Sequence, residues 1–260
     1  MWLSFQPGFS RAERMQRLGP FQNIVWVGIG LRGIDYHGMH CAGALRQGDC
    51  AMTEKIDGQL ERLLETHSIV SMQDGWTEEW HREQPDGTFS DNFAGVVQAQ
   101  HYANFELWHL EDEARTPGAA DREIAEVKRG VDRVNQRRND LMERCDGLLL
   151  ESLQARALPK ADASLHSETP GMILDRLSIL ALKIFHTRAE VQREDVPEGH
   201  GERNRERLRL LEEQRSDLAG CLDDLWKKVL SGERRFKLYR QLKMYNDPSL
   251  NPAVYKKMVR

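Results

Sequence analysis

The chain of 260 residues has little of what the common function classes require. It has no basic excess. Its 37 Lys and Arg face 41 Asp and Glu, a formal charge of −4, so electrostatics makes no case for nucleic acid or an anionic membrane. No apolar run approaches the ~20 residues of a membrane span. Residues Ile24 to Leu31 are too short for one and follow no signal-peptide pattern. The cysteines, Cys41, Cys50, Cys145 and Cys221, form no CxxC. Free thiols in a reducing cytoplasm are the simplest reading, so a cytoplasmic location is expected. The sequence also lacks a Gly-rich phosphate loop after a strand, an HExxH, an HD pair and a nucleophile elbow. No run alternates with period two, so no sheet is expected.

What is present reads as helix, after an irregular start. Residues 1–51 are rich in Gly, Trp and isolated His, and lack periodicity. They read as a leader, an upstream translation or a disordered tail, with a genuine N-terminal arm as the alternative. Met52-Thr53-Glu54-Lys55 opens ordinary helical sequence, so residues 52–260 are expected to form one domain. Helices are expected at 53–70, from Trp76 to His81, from a Ser90 cap to Arg115, at 120–156, from Thr169-Pro170 to about Asp195, and at 202–231. Pro85-Asp86-Gly87, Thr116-Pro117-Gly118 and Pro197-Glu198-Gly199 are the breaks. A short basic helix and a proline-bearing tail close the chain. The fold class expected is all-α, an antiparallel bundle of long helices.

The stretch HYANFELWHLEDEAR, His101 to Arg115, carries the strongest site signal. At ~100° per residue, His101, Asn104, Trp108, Asp112 and Arg115 share one face. Ala103, Leu107, Leu110 and Ala114 form the apolar face, and Glu106, His109 and Glu113 are free to go to water. A plain amphipathic helix needs two faces. The third, mixing indole, amide and ionisable groups, suits a lined polar cavity. Helix 120–156 repeats the pattern, with Lys128, Asp132, Asn135, Asn139 and Asp146 on a polar stripe. Val127, Val131, Val134, Leu141 and Cys145 form its core stripe, and Arg129, Arg133, Arg137 and Arg144 face solvent or a partner. Amides between carboxylates could supply oxygen ligands to a divalent cation such as magnesium. The helix after Pro170 is apolar almost all round, so it is expected to be central. Asp175, Arg176, Ser178, Lys183 and His186 interrupt it, and a buried charge there needs a partner.

Two patterns are discounted. Glu123-x-x-Glu126 and Glu143-x-x-Asp146 match the carboxylate pairs of all-α nucleotide pyrophosphohydrolases, but here both lie on one continuous helix. His101 and His109 lie on different faces and make a poor joint metal pair, so no metal-ligand set is assigned. The basic strip Arg234, Arg235, Lys237, Arg240 and Lys243, interleaved with Phe236, Tyr239 and Tyr245, could clamp phosphate or an acidic partner, or dock its aromatics on the bundle.

The strings NFELWHLEDEAR at 104–115, VNQRRND at 134–140, SETPGMILDRLSILALKIFH at 167–186 and KMYNDPSLNP at 243–252 occur in one order. In these the sequence resembles a bacterial domain-of-unknown-function family, number 4254, over about Trp76 to Tyr255. The resemblance implies a bacterial, cytoplasmic protein and an association with glycosyltransferase and surface-polysaccharide genes. It supplies no catalytic residues.

The expectation is thus a polar cavity between consecutive helices that binds or processes a small phosphorylated or sugar-related compound. Asp112, Asp146 and Asp175 are the candidate acid/base or cation-binding groups. His101, Asn104, Trp108, Asn135 and Asn139 would line the ligand site, with Arg115 and Lys183 meeting negative charge. The alternative is a non-catalytic accessory protein that binds a glycosyltransferase through the Arg129–Arg144 face and the basic tail.

Overall fold

The computed structural model describes residues 64–242 and 247–252. The expected leader, the start at Met52, the first part of helix 53–70, Cys41, Cys50, Lys243 and Tyr245 lie outside them. Among the described residues there are long helices and almost no strand, so the protein is all-α. Helix α1 spans Thr66–Arg82, α2 Phe93–Ala114, α3 Asp121–Leu153, α4 Pro170–Gln192 and α5 His200–Leu230. The end of the helix expected at 53–70 and the short helix expected from Trp76 are one. Thr66–Arg82 runs unbroken through Gly75, because Ile69, Gln73, Thr77 and Trp80 keep one face buried at helical spacing.

Helix ends follow local chemistry. The expected Ser90 cap is displaced two residues. Asn92 caps α2, accepting from the Gly95 N–H at 2.9 Å, and Ser90 Oγ donates to Asn92 Oδ1 at 2.9 Å. A Cβ at Gly95 would run into the Ser90 carbonyl, so this tight entry requires glycine. Thr169 caps α4 with Pro170 at the first helical position, as the Thr-Pro pair leads one to expect. At α3 the Glu123 carboxylate accepts from the Ala120 N–H at 3.2 Å, the reciprocal half of a capping box.

Packing partners fix the direction of each helix. From α1 to α4, Gln73 meets Leu174, Trp80 meets Leu182, and His81 meets Phe185. From α2 to α4, Asn104 meets Asp175, Phe105 meets Leu182, and Trp108 meets His186. Numbers rise together in both series, so α1, α2 and α4 run parallel. Arg138 meets Asp175 while Asp146 meets Gly171, so α3 runs against α4. Arg188 meets Glu212 while Glu190 meets His200, so α5 does as well. From α2 onward, consecutive helices alternate as expected for a bundle. The link from α1 to α2 is a crossover, with Phe89 packing on Tyr102 as the chain returns.

Helix α4 is central, as its all-round apolar sequence predicts. Ile173, Leu174, Leu177, Ala181, Leu182 and Ile184 are buried. The main core joins Ile173, Leu174 and Leu177 to Leu149 and Leu153 of α3 and to Leu222, Leu225, Trp226 and Val229 of α5. A second cluster places Ala103 and Leu107 of α2 on Val127, Val131 and Val134 of α3, the two apolar stripes read from the sequence. Truncating one such residue to Ala costs about 2–5 kcal/mol.

Among the described residues the expected basic C-terminal helix is absent. Arg234–Arg235 forms a two-residue strand parallel to Ser164–Leu165, and irregular backbone follows to Leu242. Phe236 is buried in the main core, which anchors the segment and prevents a free amphipathic helix. Arg235 Nε donates to the Ala163 carbonyl at 2.8 Å, and Arg240 lies 3.5 Å from Glu143. Much of the basic strip therefore serves docking.

Candidate functional site

Parallel α1, α2 and α4 turn polar side chains toward one another in a column along their shared seam. Deep in it, Asp175 Oδ1 accepts from Gln100 Nε2 and from Asn104 Nδ2, the latter at 2.9 Å. Arg138 Nε, from α3, lies 3.3 Å from the same oxygen as an ion pair without hydrogen-bond alignment. Burial raises the Asp175 carboxyl pKa, opposed by Arg138, Asn104 and Gln100.

Above Asp175 a directed chain of hydrogen bonds fixes one tautomer. Asn104 Nδ2 donates to Ser178 Oγ at 2.9 Å, and Ser178 Oγ lies 2.7 Å from His101 Nδ1. His101 Nε2 lies 2.9 Å from Thr77 Oγ1, whose proton is committed to the Gln73 carbonyl at 2.7 Å. Thr77 must then accept, His101 must donate from Nε2, and Ser178 must donate to Nδ1. Burial drives the His101 pKa down to about 3, so the ring is neutral.

At the C-terminal ends of the three helices the column finishes in a cluster of imidazoles. His81 of α1, His109 of α2 and His186 of α4 have ring centres 5.0 Å (His81–His186), 5.3 Å (His81–His109) and 6.2 Å (His109–His186) apart. Phe105 and Phe185 pack against His81 at 4.9 and 4.1 Å, and Trp108 stacks on His186 at 4.4 Å with planes 3° apart. Burial lowers all three imidazole pKa values, to about 4 for His109 and about 3 for His186, and their mutual repulsion adds to the shift in these two. His81 Nδ1 donates to the Thr77 carbonyl at 2.6 Å, leaving its lone pair on Nε2. That Nε2 and His186 Nε2 are buried without a hydrogen-bond partner. Asp112 sits at the exposed edge. Partial burial raises its carboxyl pKa, and the Trp108 indole donates to it.

The sequence candidates separate into groups. His101, Asn104 and Asp175 meet in the deep network, and Trp108 and Asp112 meet at the imidazole end. Asp146 is buried but works as a helix cap, its Oδ1 accepting from the Gly171 N–H at 2.7 Å. Burial raises its pKa to about 6, against its bonds to Thr169 and Gly171. Asn139 is buried and Asn135 half-buried on α3, with Arg138 between them joining the network. Arg115 is exposed and folds back on Glu111 at 2.8 Å, and Lys183 is exposed. The expected cavity at the polar stripes is instead a closely hydrogen-bonded column. A cavity of about 540 Å³ lies at the opposite end of the bundle, between Leu64, Glu65, Trp226 and Leu230. Among the described residues no three His, Cys, Asp or Glu side chains are set to hold a metal ion.

Sequence reasoning missed Gln100, Arg138, Thr77 and the imidazole cluster. His109 was assigned to water because it falls beside Glu106 and Glu113 on α2. In the fold His109 packs on Phe105, and Glu106 is ion-paired with Arg137. The signal available was one histidine near the end of each of three helices, and only the parallel arrangement makes it legible.

Helices of this layout, with a buried polar column along one seam, define an all-α bundle domain. The sequence profile of the proteins of unknown function DUF4254 matches residues 94–238, and the chain belongs to that family. The match covers α2 to α5 and leaves His81 on its N-terminal side. No curated protein and no solved structure matches the chain. No helix among the described residues is long and apolar enough to cross a membrane.

Proposed function

We propose that this protein binds a small polar molecule at the imidazole end of the α1–α2–α4 seam. One observation carries the reading. His81 Nε2 and His186 Nε2 are buried side by side in one cluster and have no hydrogen-bond partner. Leaving a buried polar atom unpaired costs about 1–3 kcal/mol. A ligand that supplies the missing partners recovers that loss on binding. Trp108, half-buried and stacked on His186, is the side chain a ligand must move, and Asp112 steadies it through the indole N–H. Phosphorylated and sugar-related compounds are the classes suggested by the sequence, and a bacterial glycan context is what the family resemblance implies. The rigid network around Asp175 supports the site from below and is not its chemistry. Thermal-shift measurement against polyols, sugars, sugar phosphates and magnesium tests the reading. A ligand at ~100 times its dissociation constant adds ~2.7 kcal/mol. A hit that stabilises the Trp108→Ala and His186→Phe variants as much as the parent chain would place binding elsewhere and end this reading.

A second reading rests on α3. Arg129 and Arg133 are exposed on its outer face, and Arg144 is exposed near Glu151. That face suits an accessory role toward an acidic surface of a glycosyltransferase. Loss of association with such a purified enzyme on Arg129→Glu and Arg133→Glu would support it. Unchanged association would count against it.

A further inference from the structure

The imidazole end also carries information about the charge of what it takes, on the reading that it is a ligand site. One of its unpaired atoms is an acceptor by necessity. The Thr77 carbonyl holds the proton of neutral His81 on Nδ1, so Nε2 offers a lone pair. Complementarity therefore asks for a hydrogen-bond donor. The surrounding cations are committed elsewhere. Arg115 is tied to Glu111, Arg137 to Glu106 and Arg188 to Glu212. On α1, Arg82 pairs with Glu78 at the exposed surface. Lys183 is exposed on α4. A phosphate brought here would set an oxygen against the His81 lone pair and bring net charge into a low-dielectric site, which is penalised. A metal ion lacks a converging set of three ligands among the described residues. The remaining walls are aromatic, with Phe105 edge-on and Phe185 stacked against His81 and Trp108 stacked on His186, a lining that suits C–H groups.

We propose that the site formed by His81, His186 and Trp108 takes an uncharged polyhydroxyl molecule, whose hydroxyls donate to His81 Nε2 and pair with His186 Nε2, and whose C–H face lies on the aromatic rings. A hydroxyl both donates and accepts, so it pairs either nitrogen without bringing charge into the seam. Trp108 leaves His186 to admit the molecule and closes over its apolar face.

The full chain, labelled with ¹⁵N in its histidine side chains, is titrated separately with xylitol, glucose, glucose 6-phosphate and inorganic phosphate, and the imidazole nitrogens are followed by NMR. Xylitol or glucose is expected to shift His81 and His186 Nε2, and inorganic phosphate to leave them unmoved. His81→Phe and, separately, His186→Phe keep a ring in place and remove a hydrogen-bonding nitrogen. Each should weaken the uncharged probe about tenfold, the value of one lost hydrogen bond. Shifts at these nitrogens from phosphate, or a tighter response to glucose 6-phosphate than to glucose, would overturn the assignment of charge and leave the ligand site standing. No shift from any probe would overturn both.

Discussion

Arg138 Nε lies 3.3 Å from Asp175 Oδ1, and the same oxygen accepts from Asn104 Nδ2 at 2.9 Å. One carboxylate oxygen thus joins α2, α3 and α4. Asp175→Ala leaves a cation and amide donors without an acceptor in the bundle interior. The expected loss is about 3–5 kcal/mol in urea unfolding, since stranding a buried charge is costlier than never having placed it. Arg138→Met, which removes the cation and keeps its stem, should cost less. A loss below ~1 kcal/mol for Asp175→Ala would show that the network is not what holds the helices.

Asp146 caps α4 from another helix, and Gly171 is the residue that lets it approach. A Cβ at position 171 would sit 2.6 Å from the Met142 carbonyl and 3.0 Å from Asp146 Oδ1. Gly171→Ala is expected to destabilise more than Asp146→Asn. The former forces α3 from α4, while the latter keeps an acceptor and should cost less than the ~0.5–2 kcal/mol of losing a cap outright. Equal chemical denaturation midpoints for the two variants would contradict this ordering.

Much of the fold was legible because burial repeats at helical spacing. Val127, Val131 and Val134 are buried together on α3, and the apolar run from Ile173 to Ile184 is the central helix. The direction of α1 was not legible. The sequence reads as a helix at 53–70 and a short second one from Trp76, and their union in one helix parallel to α2 breaks the expected alternation at the start. The site was half legible for the same reason. Helical spacing put His101, Asn104 and Trp108 on one face, which holds. It could not show that His81 and His186 sit beside His109, because that needs the parallel order of α1, α2 and α4. Arg115 and Lys183 were selected by charge, and the fold leaves both at the surface.

Acid should destabilise the protein through its histidines. The folded pKa values, about 3 for His101 and His186 and about 4 for His109, lie below the unbound value of 6.5. Between those limits the unfolded chain binds more protons, so stability is full above about pH 7 and falls as pH drops below 6.5. Each imidazole kept neutral contributes up to ~1.4 kcal/mol per pH unit in that window, less for the partly exposed His109 and His186. Asp146, raised from 3.8 to about 6, acts in the opposite sense. Its folded form holds a proton that the unfolded form releases, and it offsets part of the loss as pH falls through 6. His81 is lowered as well, and Asp112 and Asp175 are raised like Asp146, so four histidines act against three carboxyls and the expected net is a fall. Urea midpoints from pH 8 to pH 5 check the sign, and a midpoint rising toward pH 5 would contradict it. His186→Phe should flatten the slope.

His101 offers the strictest check on the interior. The Thr77 hydroxyl proton goes to the Gln73 carbonyl at 2.7 Å, so Thr77 Oγ1 can only accept from His101 Nε2 at 2.9 Å. Nδ1 is left as an acceptor for Ser178 Oγ at 2.7 Å. The ring should therefore be the neutral Nε2–H tautomer, and remain so at pH 5, because burial holds its pKa near about 3. Imidazole ¹⁵N shifts report this directly. Ser178→Ala removes the only donor to Nδ1 in this chain of bonds and should cost about 1–3 kcal/mol, as expected for an unpaired buried acceptor. Replacing His101 by Phe in the Ser178→Ala background removes that unpaired acceptor. The double variant should then lose less than the sum of the two single losses, and a coupling of 0.5 kcal/mol or more in the cycle is the expected sign of contact. Strict additivity, or an Nδ1–H ring, would mean that the bonds do not run from Asn104 through Ser178 and His101 to Thr77.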